Sequence, residues 1–185
     1  MDKILSMQNL SILDLLDPAE VNKRATIPAP SDDQFENVLL VEGAAAAAEP
    51  MITRENVKDI LKFKKSFLKR LRPEMVSERG QWHRFVLIKV DAREGMSMYP
   101  RLLPGATALI DRHYNSLKPY HKNAPNMYAV RKDGACTVKY VESAGQTLVL
   151  RPHNQSHPVD VLTIALGRSS ADYIVGRICH VAIET

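Results

Sequence analysis

The sequence predicts a mostly β fold, with one antiparallel β domain over residues 81–185 that follows short helical and linker segments. Short apolar runs recur after residue 81 and are separated by turn residues. The pair Asp133-Gly134 stands between two of these runs and is a strong short-range signal for a β-hairpin. The clearest helical spacing of apolar residues lies before the runs, over residues 53–72.

The predicted strands follow one another at short intervals. In chain order they are residues 85–90, 107–111, 127–131, 136–141, 148–151, 161–164 and 173–183. The last run is long for a terminal strand, and an unpaired strand edge tends to bind another chain. Symmetric dimers are the commonest oligomers, so we expect a homodimer that uses apolar C-terminal residues, namely Ile174, Ile178 and Val181.

Length and composition limit the class of protein. The chain has 185 residues and a formal net charge of +4, and 45% of its residues are hydrophobic. These values are ordinary for a soluble globular protein and exclude a wholly disordered chain, a collagen and a coiled coil. No apolar run approaches the roughly 20 residues of a membrane span, and polar residues interrupt the N-terminal apolar stretch, which makes it a poor signal peptide. Cys136 and Cys179 have no metal-type spacing. We therefore expect a cytoplasmic protein without a metal, another cofactor or a membrane partner.

Residues 1–37 are predicted to form an N-terminal arm and linker. Asp17, Pro18 and Glu20 are typical of a helix start, and a proline-rich stretch from Ile27 indicates a linker. This segment is too short for the usual three-helix form of a helix-turn-helix domain. We therefore expect contact with DNA only indirectly or through a separate DNA-binding domain.

Residues 38–80 are predicted to hold a small-residue segment and a basic helix. Residues 53–72 contain eight Lys and Arg against two acidic residues, which favours either a solvated basic helix face or a face that contacts phosphate. The five-alanine run at 44–48 lies between Gly43 and Pro50, which leave little room for a helix. The run is either a linker or an extended segment that threads a narrow site.

A serine and a lysine have the residue types for nucleophilic catalysis. Ser97 follows the strand 85–90 in the sequence Gly95-Met96-Ser97, where a serine either caps a turn or faces a cleft. Lys139 lies in an otherwise apolar strand, where it must reach solvent with its amine or lose its charge. A neutral amine can take the proton of a serine hydroxyl, and Ser/Lys pairs are a known nucleophile and base. The alternative is an ordinary lysine on an edge strand.

Seven short motifs occur in order along the β region. They are Gly95-x-Ser97-Met98-x-Pro100, Leu103-x-Gly105, Leu109-Ile-Asp111, Met127-Tyr-Ala-Val-Arg131, Thr137-Val-Lys139, Leu148-Val-Leu-Arg-Pro-His-Asn154 and Ile174-Val-Gly-Arg177. Together they make residues 85–182 resemble the C-terminal domain of LexA and lambda-type phage repressors, the self-cleaving branch of the LexA/signal-peptidase superfamily. The resemblance implies an antiparallel β domain that dimerises through its C-terminal strands.

The resemblance also implies roles for individual residues. Ser97 matches the nucleophile and Lys139 the general base, and backbone amides near Met96 and Ser97 are expected to hold the oxyanion. The substrate of the family is a loop of the same chain, usually cut at an Ala-Gly bond. The segment from Val41 to Pro50 is similar to that loop and places the scissile bond between Ala47 and Ala48.

The expected function is a repressor-type regulator domain with latent self-cleaving serine peptidase activity and a dimerisation role in transcription regulation. The alternative is a noncatalytic dimerisation or protein-interaction module on the same fold. Ser97 and Lys139 favour the first, because a module without catalysis has no need of a lysine in an apolar strand.

Overall fold

The computed structural model describes residues 31–72 and 78–183, and the chain divides into two units between Gln34 and Phe35. The predicted helix start at Asp17 and most of the predicted arm over residues 1–37 lie outside the described residues. In the first unit, the described part forms a 3-10 turn at Asp32–Gln34.

The second unit is built on one nine-stranded sheet in the order β2-β1-β3-β4-β9-β5-β6-β7-β8. The strands are β1 Phe35–Val41, β2 Val57–Lys64, β3 Phe85–Lys89, β4 Thr107–Asp111, β5 Met127–Lys132, β6 Ala135–Ala144, β7 Thr147–Arg151, β8 Asp160–Thr163 and β9 Ile174–Ala182. Neighbouring strands are antiparallel except β1 and β3, which are parallel. The prediction of a mostly β fold is confirmed, and the parallel pair makes the sheet mixed.

Short helices connect the strands. They are α1 Gly43–Ala48, α2 Lys65–Leu71, α3 Ala92–Ser97 and α4 Ser170–Tyr173, with a 3-10 turn at Arg54–Asn56. The helix α3 begins after Asp91, whose side chain accepts a hydrogen bond from the Glu94 backbone N–H at 2.8 Å and so satisfies one of the free donors of the first turn. Within the described ranges, none of the helices combines the length and the apolar character that a membrane crossing requires.

The hairpin predicted around Asp133-Gly134 is confirmed. The strands β5 and β6 pair from Met127↔Tyr140 to Lys132↔Ala135. Asp133 and Gly134 have φ values of 51° and 76°, which is the backbone of a two-residue turn that matches the twist of the flanking strands. The hairpin fixes the register of β6 and therefore the position of Lys139 in the sheet.

The basic helix predicted over residues 53–72 is wrong for most of its length. Val57–Lys64 forms β2, which pairs with β1 along its whole length, and the helix is confined to Lys65–Leu71. Along β2, Leu61 and Phe63 are half-buried while the lysines between and beside them are exposed, so the segment also fits the alternation of a strand. Tertiary pairing outweighed local preference, and lysines on this outer strand oppose pairing with another chain.

The alanine run is neither a linker nor an extended segment. It forms α1, in which Ala45, Ala46 and Ala47 are buried. Gly43 is the first residue of the helix and Pro50 lies beyond its end, so neither residue prevents it. A Cβ atom on Gly43 would lie 2.9 Å from the Cβ of Cys136, which shows how closely the helix packs on β6.

The C-terminal strand, β9, lies inside the sheet between β4 and β5. The prediction that it is an exposed terminal edge is therefore wrong for most of its length. Ile174 and Ile178 are buried in the core of this unit, whereas Val181 is half-buried. The side chains of the two isoleucines pack in the core of this chain and are not available to contact a second copy.

Leu68 anchors α2 to the sheet. Its side chain is 0% exposed and belongs to a core cluster with Val38, Phe85, Leu87 and Leu109. The cluster holds the short helix against strands that are far from it in sequence.

We expect Leu68→Ala to lower the free energy of unfolding by about 2–5 kcal/mol, because it leaves a cavity beneath α2. Chemical denaturation followed by circular dichroism measures the change. Ile60→Ala on β2 is the matched control, since Ile60 is 52% exposed and its loss should change stability little. Equal effects of the two substitutions would contradict the described packing of α2.

Candidate active site

The helix α3 and the strand β6 bring Ser97 and Lys139 together. Ser97 is the last residue of α3, and its hydroxyl lies 2.8 Å from the Nζ atom of Lys139 on β6. Both residues are buried, with 3% and 4% of their surface exposed. The two residues singled out from the sequence therefore form one contact, shielded from solvent.

Gly95 explains how α3 reaches this position. A Cβ atom on Gly95 would lie 2.3 Å from the backbone nitrogen of Pro104 and 2.6 Å from the carbonyl carbon of Leu103. Real Cβ atoms do not approach backbone so closely, so a larger residue would push α3 away. The glycine of the Gly-x-Ser motif is thus required by the close approach of two backbone segments.

The amine of Lys139 contacts three hydrogen-bond acceptors. These are Glu94 Oε2 at 2.7 Å, Ser97 Oγ at 2.8 Å and the Val138 carbonyl oxygen at 3.1 Å. A lysine ammonium has three N–H donors and no acceptor, so the arrangement suits the charged amine. The site therefore contains a buried ion pair as well as the serine–lysine contact.

Glu94 was not identified from the sequence. Its carboxylate also accepts hydrogen bonds from the Thr137 hydroxyl and the Val138 backbone N–H, each at 2.9 Å. Glu94 and Ser97 are three residues apart on α3, a spacing that places two side chains on the same helix face. The spacing was the feature of the sequence that could have identified Glu94. It points to the site only when α3 is known to face β6.

The loop after β7 holds the serine from another direction. The Asn154 backbone N–H donates to the Ser97 carbonyl oxygen at 2.9 Å, and the Asn154 side chain donates to the Met96 carbonyl oxygen at 3.1 Å. Next to it, His153 Nδ1 lies 2.8 Å from the hydroxyl of Tyr140 on β6. Asn154 appeared in a sequence motif without a role, and here it fixes the end of α3.

The backbone amides of Met96 and Ser97 lie in the last turn of α3. N–H groups within a helix ordinarily donate to the carbonyl four residues earlier. Their assignment as oxyanion donors stays a prediction, because it requires a change at the end of this helix.

Two arginines contact the segment from Val41 to Pro50, which is predicted to contain the cleaved bond. Arg131 donates to the Ala47 carbonyl oxygen, and Arg112 donates to the carbonyl oxygen of Glu49. Arg112 is 0% exposed and stacks over the Trp82 ring at 4.5 Å. Burial, and then the charge of Arg79, lowers the Arg112 pKa to about 10, so its side chain keeps its charge at neutral pH.

The predicted bond between Ala47 and Ala48 therefore lies at the end of a helix, where Arg131 contacts the carbonyl that would be attacked. Ala47 is buried and Ala48 is exposed. The hydrogen bonds described for Ser97 join it to Glu94, Lys139 and Asn154 and not to this bond.

A cavity of about 390 Å³ lies between the start of α1 and Glu94. Its lining includes Gly43, Ala44, Asp91, Cys136 and Val138. Burial, and then the charge of Glu94, raises the pKa of the Cys136 thiol to about 12, so this thiol stays neutral and adds no charge. The cavity therefore lies between Glu94 and the segment that contains the predicted bond.

A serine in contact with a lysine is a known variant of the nucleophile and base of serine peptidases. The comparison with family models agrees: the model described as peptidase S24-like matches residues 39–179. The chain therefore belongs to the peptidase S24-like family, and the family predicted from the seven motifs is confirmed. No curated protein matches the chain.

We expect Gly95→Ala to lower the free energy of unfolding by about 1–3 kcal/mol, because the added methyl group meets backbone atoms of the Leu103–Pro104 segment. Thermal and chemical unfolding measure the loss. Gly80→Ala is the matched control, since no heavy atom lies within 4 Å of its added Cβ. An unchanged stability of the Gly95 variant would contradict the close approach described here.

Proposed function

We propose that this chain is a cytoplasmic, repressor-type regulator domain with latent self-cleaving serine peptidase activity, which reaches DNA only indirectly or through a separate DNA-binding domain. The observation that carries the proposal is the buried contact of 2.8 Å between Ser97 Oγ and Lys139 Nζ. Membership of the peptidase S24-like family supports it. The substrate is the chain's own segment around Ala47 and Ala48.

The chemistry begins when the Lys139 amine is neutral and the α1 segment is extended in the site. Lys139 takes the hydroxyl proton of Ser97, and Oγ forms a bond to the carbonyl carbon of Ala47. Backbone amides near Met96 and Ser97 hold the oxyanion. The bond to the Ala48 nitrogen then breaks, and Lys139 gives its proton to that nitrogen. Water hydrolyses the ester on Ser97 and restores the serine.

The position of α1 supports the latency of this reaction. The bond can be attacked only after α1 leaves the contacts that Arg112 and Arg131 make with its C-terminal carbonyls. The buried alanines Ala45, Ala46 and Ala47 oppose that movement as well. A minor extended population lowers the observed rate in proportion to its fraction.

We expect Ser97→Ala and Lys139→Ala each to abolish self-cleavage, because the first removes the nucleophile and the second removes the base. Incubation of the purified protein at mildly alkaline pH followed by intact-mass spectrometry measures the fragments. Ser143→Ala and Lys132→Ala are matched controls, since Ser143 is exposed on β6 and Lys132 pairs with Asp160 away from the site. Both controls should be cleaved like the parent.

Cleavage of the Ser97→Ala variant at the parental rate would overturn the proposal. So would a parent chain that gives no fragment boundary between Gly43 and Pro50. In either case the noncatalytic dimerisation or protein-interaction module becomes the better account of the same fold.

The proposed function includes a homodimer, now through the last residues of β9 rather than the whole strand. The register of β9 with β5 ends at Tyr128↔Arg177, while β9 continues beside β4 to Ala182. Within the part of the chain that the structure describes, residues 178–182 thus have a strand partner on one side. Backbone groups on the other side are able to pair with the same segment of a second copy.

We expect a dimer in sedimentation velocity at tens of micromolar protein, and we expect Val181→Arg to shift it toward monomer by placing a charge beside the shared edge. Val159→Arg is the control, because Val159 is 47% exposed and lies just before β8, on the opposite side of β5 in the sheet. A parent that sediments as monomer even at high micromolar concentration would contradict the dimer.

A further inference from the structure

We propose that Glu94 is a positioning residue that holds the Lys139 amine in its charged, proton-donating form and so keeps self-cleavage slow near neutral pH. The inference rests on the proposed function and adds a means of control within the same site. It concerns the side chain of Glu94, which contacts neither the predicted scissile bond nor the serine hydroxyl in the described contacts.

The hydrogen bonds around Ser97 run in the direction opposite to catalysis. Lys139 Nζ donates to Ser97 Oγ at 2.8 Å, and Ser97 Oγ donates to the Glu94 carbonyl oxygen at 2.9 Å. For catalysis, the hydroxyl must instead donate to a lone pair on Nζ. The amine must therefore lose a proton, and the hydroxyl must turn away from the Glu94 carbonyl.

The Glu94 carboxylate opposes the loss of that proton. It lies 2.7 Å from Nζ, and the two side chains are 17% and 5% exposed, so water screens their attraction weakly. Deprotonation of the amine would leave the carboxylate charge without its buried partner, which is costly. The carboxylate is also fixed by Thr137 and Val138 of β6 at 2.9 Å each, so it cannot swing away without breaking those bonds.

The other titratable groups near Lys139 do not offset Glu94. Tyr128 stands opposite Lys139 on β5, but its hydroxyl donates to the Ser116 carbonyl oxygen at 2.9 Å. Burial is the main cause that raises the Tyr128 pKa, and Cys136 on β6 stays neutral as well. On α3, the Asp91 carboxylate caps the helix. Among the described residues, Glu94 is thus the charged side chain in contact with the amine.

A further charge lies across the cavity, on Glu42 at the start of α1. Glu42 lines the cavity but pairs with Lys58 at 3.1 Å, and 69% of its side chain is exposed. Solvent screens such a pair strongly. The charge of Glu42 therefore acts on the amine less than the charge of Glu94, which contacts the amine directly.

The test compares Glu94→Gln with the parent in self-cleavage time courses read by intact mass, near pH 7 and near pH 10. We expect the variant to cleave about tenfold faster or more near pH 7, because the amide carries no charge to hold the ammonium. The ratio of the two rates should be smaller near pH 10 than near pH 7, because alkali removes the proton that Glu94 helps to retain. Glu142→Gln is the matched control, since Glu142 is exposed on β6 and pairs with Arg151.

A second measurement does not depend on cleavage. In a Ser97→Ala background, ¹⁵N-lysine NMR follows the Lys139 amine through a pH titration, with and without Glu94→Gln. We expect the midpoint to fall to lower pH when Glu94 is replaced and to stay in place for Glu142→Gln. A parent that never cleaves would overturn the proposed function, and this titration would still decide the role of Glu94.

For Glu94→Gln, two outcomes overturn the role of Glu94. The first is an equal rate near pH 7 together with an unmoved midpoint. The second is slower cleavage at every pH, which is the result expected of a residue with a structural role alone. If Glu94→Gln does not fold by circular dichroism, Glu94→Asp replaces it. Aspartate is one methylene group shorter, so its carboxylate lies farther back than the one that now contacts Val138 N–H and the amine, and we expect an intermediate rate near pH 7. A parental rate for this variant overturns the inference.

Discussion

A buried amine in the middle of a β-sheet must find hydrogen-bond acceptors, and this requirement organises the site. The Lys139 amine lies where β6 is covered by α3, and the helix supplies the acceptors Glu94 and Ser97. The close approach depends on Gly95, which has no Cβ to separate α3 from the segment at Pro104. Asp91 fixes the start of the helix and Asn154 fixes its end, so the placement of one charged group constrains several loops.

The parts of the fold that the sequence predicted well are those encoded by neighbouring residues. The turn at Asp133-Gly134 needs two residues that tolerate positive φ, and the flanking alternation then sets β5 and β6. Ser97 and Lys139 were singled out in the same way, one from a glycine-flanked serine after a strand and the other from a charge in an apolar run. The structure brings them into contact, and their catalytic roles stay predictions. Their motifs also pointed to the family.

The parts that were missed depend on partners distant in sequence. Val57–Lys64 fits a helical spacing, and its second half also alternates as a strand does. Pairing with β1 decided between the two. The burial of β9 between β4 and β5 reflects the order of strands in the sheet, which strand patterns alone do not contain. Glu94 joins the site because α3 turns its carboxylate onto Thr137 and Val138, and no local pattern encodes that orientation.

The alanine composition of α1 has a consequence for how a cut would be located. Because the five successive side chains are identical, a binding groove cannot distinguish one alanine from the next. If the segment unwinds, a shift by a single residue would present an equivalent peptide bond to the same serine. Fidelity therefore depends on the distinctive ends of the run, Glu42 and Gly43 on one side and Glu49 and Pro50 on the other. The residues that flank the run, and not the alanines themselves, would then determine which peptide bond lies at the serine.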